Sequence, residues 1–116
     1  MAACDHWPCA GDSDLGVRSG IDVHPDEQGM VWPLRGGMSV APDDPGYLPL
    51  HRRPPSLGGT GKRPVWKIQA STLPACLSLR LDRSDHGLIE PTEGIVLEAY
   101  RDNLFSTHRD WTLDAV

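Results

Sequence analysis

The sequence holds 116 residues, enough for one hydrophobic core and too few for two halves that each bury their own surface. With 39% hydrophobic and 23% charged residues it has the composition of a folded chain, and eleven prolines with twelve glycines divide it into short elements joined by turns. The net charge of -5 gathers at the front, where residues 1–50 carry eight acids against two bases, so no duplex nucleic acid partner is expected.

Residues 1–17 lack apolar periodicity and read as a flexible N-terminal arm ahead of a domain expected over residues 18–116. This start has no apolar segment of the Sec type, and no run reaches the roughly 20 apolar residues that cross a bilayer. The expected location is therefore cytoplasmic, or a target cytoplasm reached by a non-Sec route, with no membrane partner. Cys4, Cys9 and Cys76 cannot all pair with one another and match no zinc spacing, so they are read as free thiols.

Met30-Val31-Trp32 and Met38-Ser39-Val40 flank the pair Gly36-Gly37, the arrangement of two short strands joined by a turn. From Ala41 to Pro64 the prolines at 42, 45, 49, 54 and 55 exclude a regular helix and a central strand. Tyr47, Leu48 and Leu50 predict that this long loop is ordered and pinned to the core. Beyond it, Val65-Trp66-Lys67-Ile68-Gln69 and Leu77-Ser78-Leu79-Arg80-Leu81 alternate as half-buried strands do. Ser71 to Cys76 carries the proline and caps of one helical turn. His86-Gly87-Leu88-Ile89-Glu90-Pro91 reads as another strand, stopped by its proline. Leu97, Tyr100, Leu104 and His108 recur at three- and four-residue steps and predict one helix from about Val96 to His108, with Trp111-Thr112-Leu113 as a closing edge strand. These elements make an α+β domain.

Three familiar chemistries are tested by this pattern and fail. Gly58-Gly59-Thr60-Gly61-Lys62 is not a phosphate-binding P-loop, because Ser56 stands at the first glycine position, Arg63 follows the lysine, and a strand follows instead of a helix. His24, His51, His86 and His108, with Asp22 and Asp26, contain no pair at the helical spacing that presents two ligands together, so no metal site is expected. Ser39 lies in GGMSV and not in a nucleophile elbow. The basic clusters His51-Arg52-Arg53 and Lys62-Arg63 suit a small anionic ligand.

The whole ordered set is more informative: Arg18, Ile21-Asp22, Gly29-Met30-Val31-Trp32-Pro33, Gly36-Gly37-Met38-Ser39-Val40, Leu48 to Pro54, Gly58 to Lys62, Pro64-Val65-Trp66 and His86 to Pro91. Over roughly residues 18–113 this series resembles the ADP-ribosyltransferase-like toxin family typified by a type VI secretion exported effector. The resemblance implies a small split antiparallel sheet around a cleft, NAD as substrate, and transfer of ADP-ribose to a cytoplasmic macromolecular target. It also implies an immunity protein as possible partner. By position, Ser39, His86 and Glu90 would be catalytic, and a carboxylate there could polarise the nicotinamide ribose and stabilise oxocarbenium-like charge. Arg18, Gly36, Gly37 and Val40 would lie along the cofactor, with His51, Arg52, Arg53 and Lys62 holding the pyrophosphate. Relatives carry a first strand with an aromatic-arginine element that residues 1–17 lack. This leaves open a second reading, a non-catalytic interaction domain that uses Tyr47, Leu50 and Trp66 as a partner surface.

Overall fold

A computed structural model describes residues 9–10, 20, 22–62 and 65–115. Cys4, Arg18 and Arg63, and most of the arm expected over residues 1–17, lie outside them. The strands are β1 (Cys9–Ala10), β2 (Met30–Val31), β3 (Met38–Val40), β4 (Val65–Lys67), β5 (Leu77–Arg83), β6 (His86–Pro91), β7 (Ile95–Val96) and β8 (Thr112–Ala115), with one α-helix, α1 (Leu97–Phe105). Among the described residues they pair antiparallel in three small sheets, ordered β1-β4-β8, β2-β7 and β3-β6-β5. The chain is thus α+β, with small antiparallel sheets and, among the described residues, one C-terminal helix. No helix of the described residues is long and apolar enough to cross a membrane.

The strands with the cleanest alternation form where expected: β4, β5 and β6 start at Val65, Leu77 and His86. The hairpin expected around Gly36-Gly37 does not form. Instead β2 pairs with β7, placing Met30 opposite Val96, and β3 pairs with β6, placing Met38 opposite Ile89. The glycines explain the difference. Gly36 has φ 103° and bridges Val23, while the Gly37 amide donates to the Asp22 carbonyl at 2.9 Å. A side chain at Gly37 would put its Cβ 2.7 Å from the Ile89 carbonyl, so the second glycine admits a neighbouring strand and does not close a turn.

The proline-rich loop folds into three single 3-10 turns, Pro45–Tyr47, Leu50–Arg52 and Pro55–Leu57. Of the three residues expected to pin it, Leu48 does so, buried with Ala41 and Val65, and Leu57 packs beside them. Tyr47 and Leu50 are exposed. The turn expected after β4 is a 3-10 segment, Ala70–Thr72.

The main core gathers Val23, Val31, Met38, Val40, Ile68, Leu77, Ile89, Tyr100, Leu104 and Trp111. Tyr100 and Leu104 are the buried face of α1, four residues apart on one stripe. The helix stops at Phe105, short of the expected His108. There the Thr107 hydroxyl donates back to the Leu104 carbonyl and accepts from the Trp111 indole at 2.9 Å, turning the chain toward β8. Tyr100 ties the helix to the sheet: its hydroxyl donates to the Ile89 carbonyl and accepts from the Met38 amide at 3.1 Å. Burial pushes this phenol well above its ordinary pKa.

Candidate functional site

The β3-β6-β5 sheet has one apolar and one polar face. Successive residues of a strand point to opposite sides, so Met38, Val40, Ile89 and Leu77 turn into the core while Ser39, His86, Leu88, Glu90, Ser78 and Arg80 turn the other way. Register aligns them: Ser39 lies opposite Leu88, Leu88 opposite Arg80, and Glu90 opposite Ser78. Ser39 is thereby a diagonal neighbour of both His86 and Glu90, a separation of roughly 7–8 Å in an antiparallel pair. The three residues assigned by resemblance to catalysis share one face of one sheet.

Their environments differ sharply. Ser39 is exposed. His86 is half-buried and its Nδ1 lies 2.7 Å from Asp82 Oδ1. The contact exists because the β5–β6 register shifts between Leu81 and Arg83, where Asp82 enters as an extra residue. Partial desolvation pushes the Asp82 carboxyl up, but the hydrogen bond and charge of His86 outweigh it and hold the group below the usual carboxylate range. Glu90 is only 4% exposed. Arg80 Nε sits 3.2 and 3.1 Å from its two oxygens, and the Leu34 amide donates to Oε2 at 3.0 Å. A buried carboxylate needs such partners, since desolvating an unpaired charge costs several kcal/mol.

The Leu34 amide comes from the segment between β2 and β3, which holds Leu34 at φ 68°. Asp26 anchors its start. One carboxylate oxygen accepts from the Gln28 and Met30 amides and the other from the Trp32 indole, all at 2.9 Å. These bonds, the indole foremost, hold the Asp26 carboxyl below its ordinary value. The Trp32 ring fills the space that a side chain at Gly94 would need.

The remaining expected residues lie elsewhere. Gly36, Gly37 and Val40 meet protein where a side chain would point: the Asp22 carbonyl, the Ile89 carbonyl and the core. His51, Arg52 and Arg53 form one unit with the glycine segment, as the Thr60 amide donates to the Leu50 carbonyl at 2.9 Å and the Gly61 amide to Arg53 at 2.7 Å. His51 and Lys62 are exposed, and Arg53 Nε is buried without a hydrogen-bond partner. The loop that carries this unit is pinned by Leu48 and Leu57, which cluster with Ala41, next to the end of β3, and with Val65. For the interaction reading, Tyr47 and Leu50 are exposed while Trp66 is half-buried with its indole nitrogen buried and unpartnered.

Sequence reasoning missed Arg80, Asp82, the Tyr100 hydroxyl and the Leu34 amide. A regular hairpin centred on Ser84-Asp85 would set Arg80 opposite Ile89, and only the extra residue at Asp82 shifts it opposite Leu88 and diagonal to Glu90, so the spacing of β5 and β6 carries no signal for this pair. A family model described as Tse2 ADP-ribosyltransferase toxin matches residues 9–115. No curated relative and no solved structure matches the chain.

Proposed function

Because the chain belongs to the Tse2 ADP-ribosyltransferase toxin family, we propose that it binds NAD on the polar face of the β3-β6-β5 sheet and transfers ADP-ribose to a macromolecule of a target cytoplasm. The observation that supports this site is the convergence of Ser39, His86, Arg80 and Glu90 on that face. In such a transfer the bond between ribose C1 and nicotinamide breaks, nicotinamide leaves with the electron pair, and a target nucleophile bonds to C1 and gives up its proton. The ribose passes through oxocarbenium-like charge, which a fixed negative group stabilises.

Asp82 occupies His86 Nδ1, so Nε2 is the nitrogen left to accept the nucleophile's proton. Ser39 offers a hydroxyl to the ribose, and Glu90, buried and paired with Arg80, acts by holding that guanidinium in place. His51, Arg52, Arg53 and Lys62 add positive potential from the loop beyond β3. Delivery by a type VI-like route and neutralisation by an immunity protein belong to the same reading.

Incubating the purified chain with labelled NAD and cell extract should place label on a macromolecule. Expression of His86→Ala or Ser39→Ala should be tolerated better by a bacterial host than the parent. A parent that is harmless in the cytoplasm, transfers no label and binds no NAD by calorimetry would end this reading. The exposed Tyr47 and Leu50 favour a second one, a partner surface without catalysis, which predicts a folded chain that consumes no NAD.

A further inference from the structure

Arg80 is held on this face by a carboxylate that is itself buried. Its side chain is 30% exposed, while that of its partner Glu90 is 6% exposed. Nε alone makes the contact with the two carboxylate oxygens, so the guanidinium is fixed by one edge and its two Nη groups are not used by Glu90. Glu90 cannot follow a moving arginine, because the Leu34 amide and its own burial fix the carboxylate. A guanidinium locked in this way presents a planar pair of donors whose orientation costs little further entropy when a ligand arrives. Its row on the sheet is Ser39, Leu88, Arg80, so those donors share the face with an exposed hydroxyl.

We propose that Arg80 is the oxyanion-binding residue of this face: its Nη edge takes phosphate oxygens of a pyrophosphate ligand, and Glu90 is the positioning residue that orients it. Bidentate phosphate recognition is what a pre-aligned guanidinium does better than a point charge. The neutrality of the pair makes the interaction directional. His51 and Lys62, exposed on the loop, raise local potential but have no partner among the described residues to fix their heads. That the pyrophosphate belongs to NAD rests on the function proposed above. The anion site itself does not.

The test is calorimetric titration of the full chain with inorganic pyrophosphate and with ADP-ribose, for the parent, Arg80→Lys, Arg80→Gln and the double variant R80Q/E90Q. The double variant leaves no buried charge without its partner, so it separates lost binding from lost folding, with circular dichroism as the check. Removing a charge-assisted pair of hydrogen bonds should weaken both ligands about tenfold or more in R80Q and R80Q/E90Q. R80K, which keeps charge without the fork, should fall between them and the parent. A parent that binds neither ligand, or a folded R80Q/E90Q that binds pyrophosphate as the parent does, overturns the assignment. Arg80-dependent pyrophosphate binding without any label transfer from NAD would sink the transferase reading and leave this site standing. Label transfer with Arg80-independent binding would do the reverse.

Discussion

Tyr100→Phe removes one oxygen and keeps the ring that fills the core. That oxygen lies between the Ile89 carbonyl and the Met38 amide, and both residues are buried, Met38 at 6% exposure and Ile89 at 1%. Water cannot replace the hydroxyl, so the Met38 N–H is left without an acceptor at a cost of about 1–3 kcal/mol. Taking about 2 kcal/mol and a urea dependence of about 1.5 kcal/mol per molar, the unfolding midpoint falls by roughly 1.3 M. The thermal midpoint falls by about 8 °C. Urea titration followed by circular dichroism reads the first number, and amide exchange at Met38 locates it. A midpoint equal to the parent's, with the Met38 amide equally protected, would refute the claim that this hydroxyl joins helix to sheet. The same variant carries a signature at high pH. Burial keeps the Tyr100 phenol protonated in the fold, whereas the unfolded chain ionises it near pH 10. Above that pH the fold binds the extra proton, so this contribution to stability is present below pH 10 and is lost at about 1.4 kcal/mol per unit as pH rises. The gap between parent and Tyr100→Phe should therefore narrow above pH 10.

Two further outcomes follow from close contacts. Gly37→Ala would place its Cβ 2.7 Å from the Ile89 carbonyl and 3.2 Å from the Tyr100 hydroxyl, and urea unfolding should show a loss of about 1–3 kcal/mol. Parent-like stability would mean that β3 and β6 do not approach as described. The Asp26 carboxyl lies below its unfolded value, so its hold on the Trp32 indole is present above about pH 4 and is released as pH falls through the folded value. The Trp32 indole N–H resonance should shift over that acid range in the parent and stay put in Asp26→Asn. A resonance that titrates identically in both would exclude Asp26 as its partner.

Local pattern carried the elements that depend on local pattern. The period of two in Leu77 to Leu81 and the three-four spacing of Leu97, Tyr100 and Leu104 are read from neighbours along the chain, and β5 and α1 form there. His86 and Glu90 fall on one face for the same reason. Pairing is different. The strands β2 and β3 have two and three residues, too few to encode a partner, and Gly36-Gly37 suits a turn or a close approach equally well until the Ile89 carbonyl is in place. Ser39 joins His86 and Glu90 only through the β3–β6 register, which no local spacing contains. Arg80 was hidden by its neighbours, since a charged residue alternating with leucines reads as solvent-facing. Its acceptor, Glu90, was read as a catalytic group, and burial of the pair is a property of the assembled sheet.

The strand pairings also set an order of events during synthesis. Apart from the β5–β6 hairpin, each joins distant parts of the chain: β1 with β4, β4 with β8, β2 with β7, and β3 with β6, whose Ser39 and Leu88 are about fifty residues apart. On the ribosome, Val23, Val31, Met38 and Val40 emerge with nothing to cover them and wait for residues 86–96, a delay of roughly 3–10 s at ordinary translation rates. Nascent fragments ending before β6 therefore expose this apolar surface. The surface bearing Ser39, Arg80 and His86 comes into being as one event, once β6 has emerged.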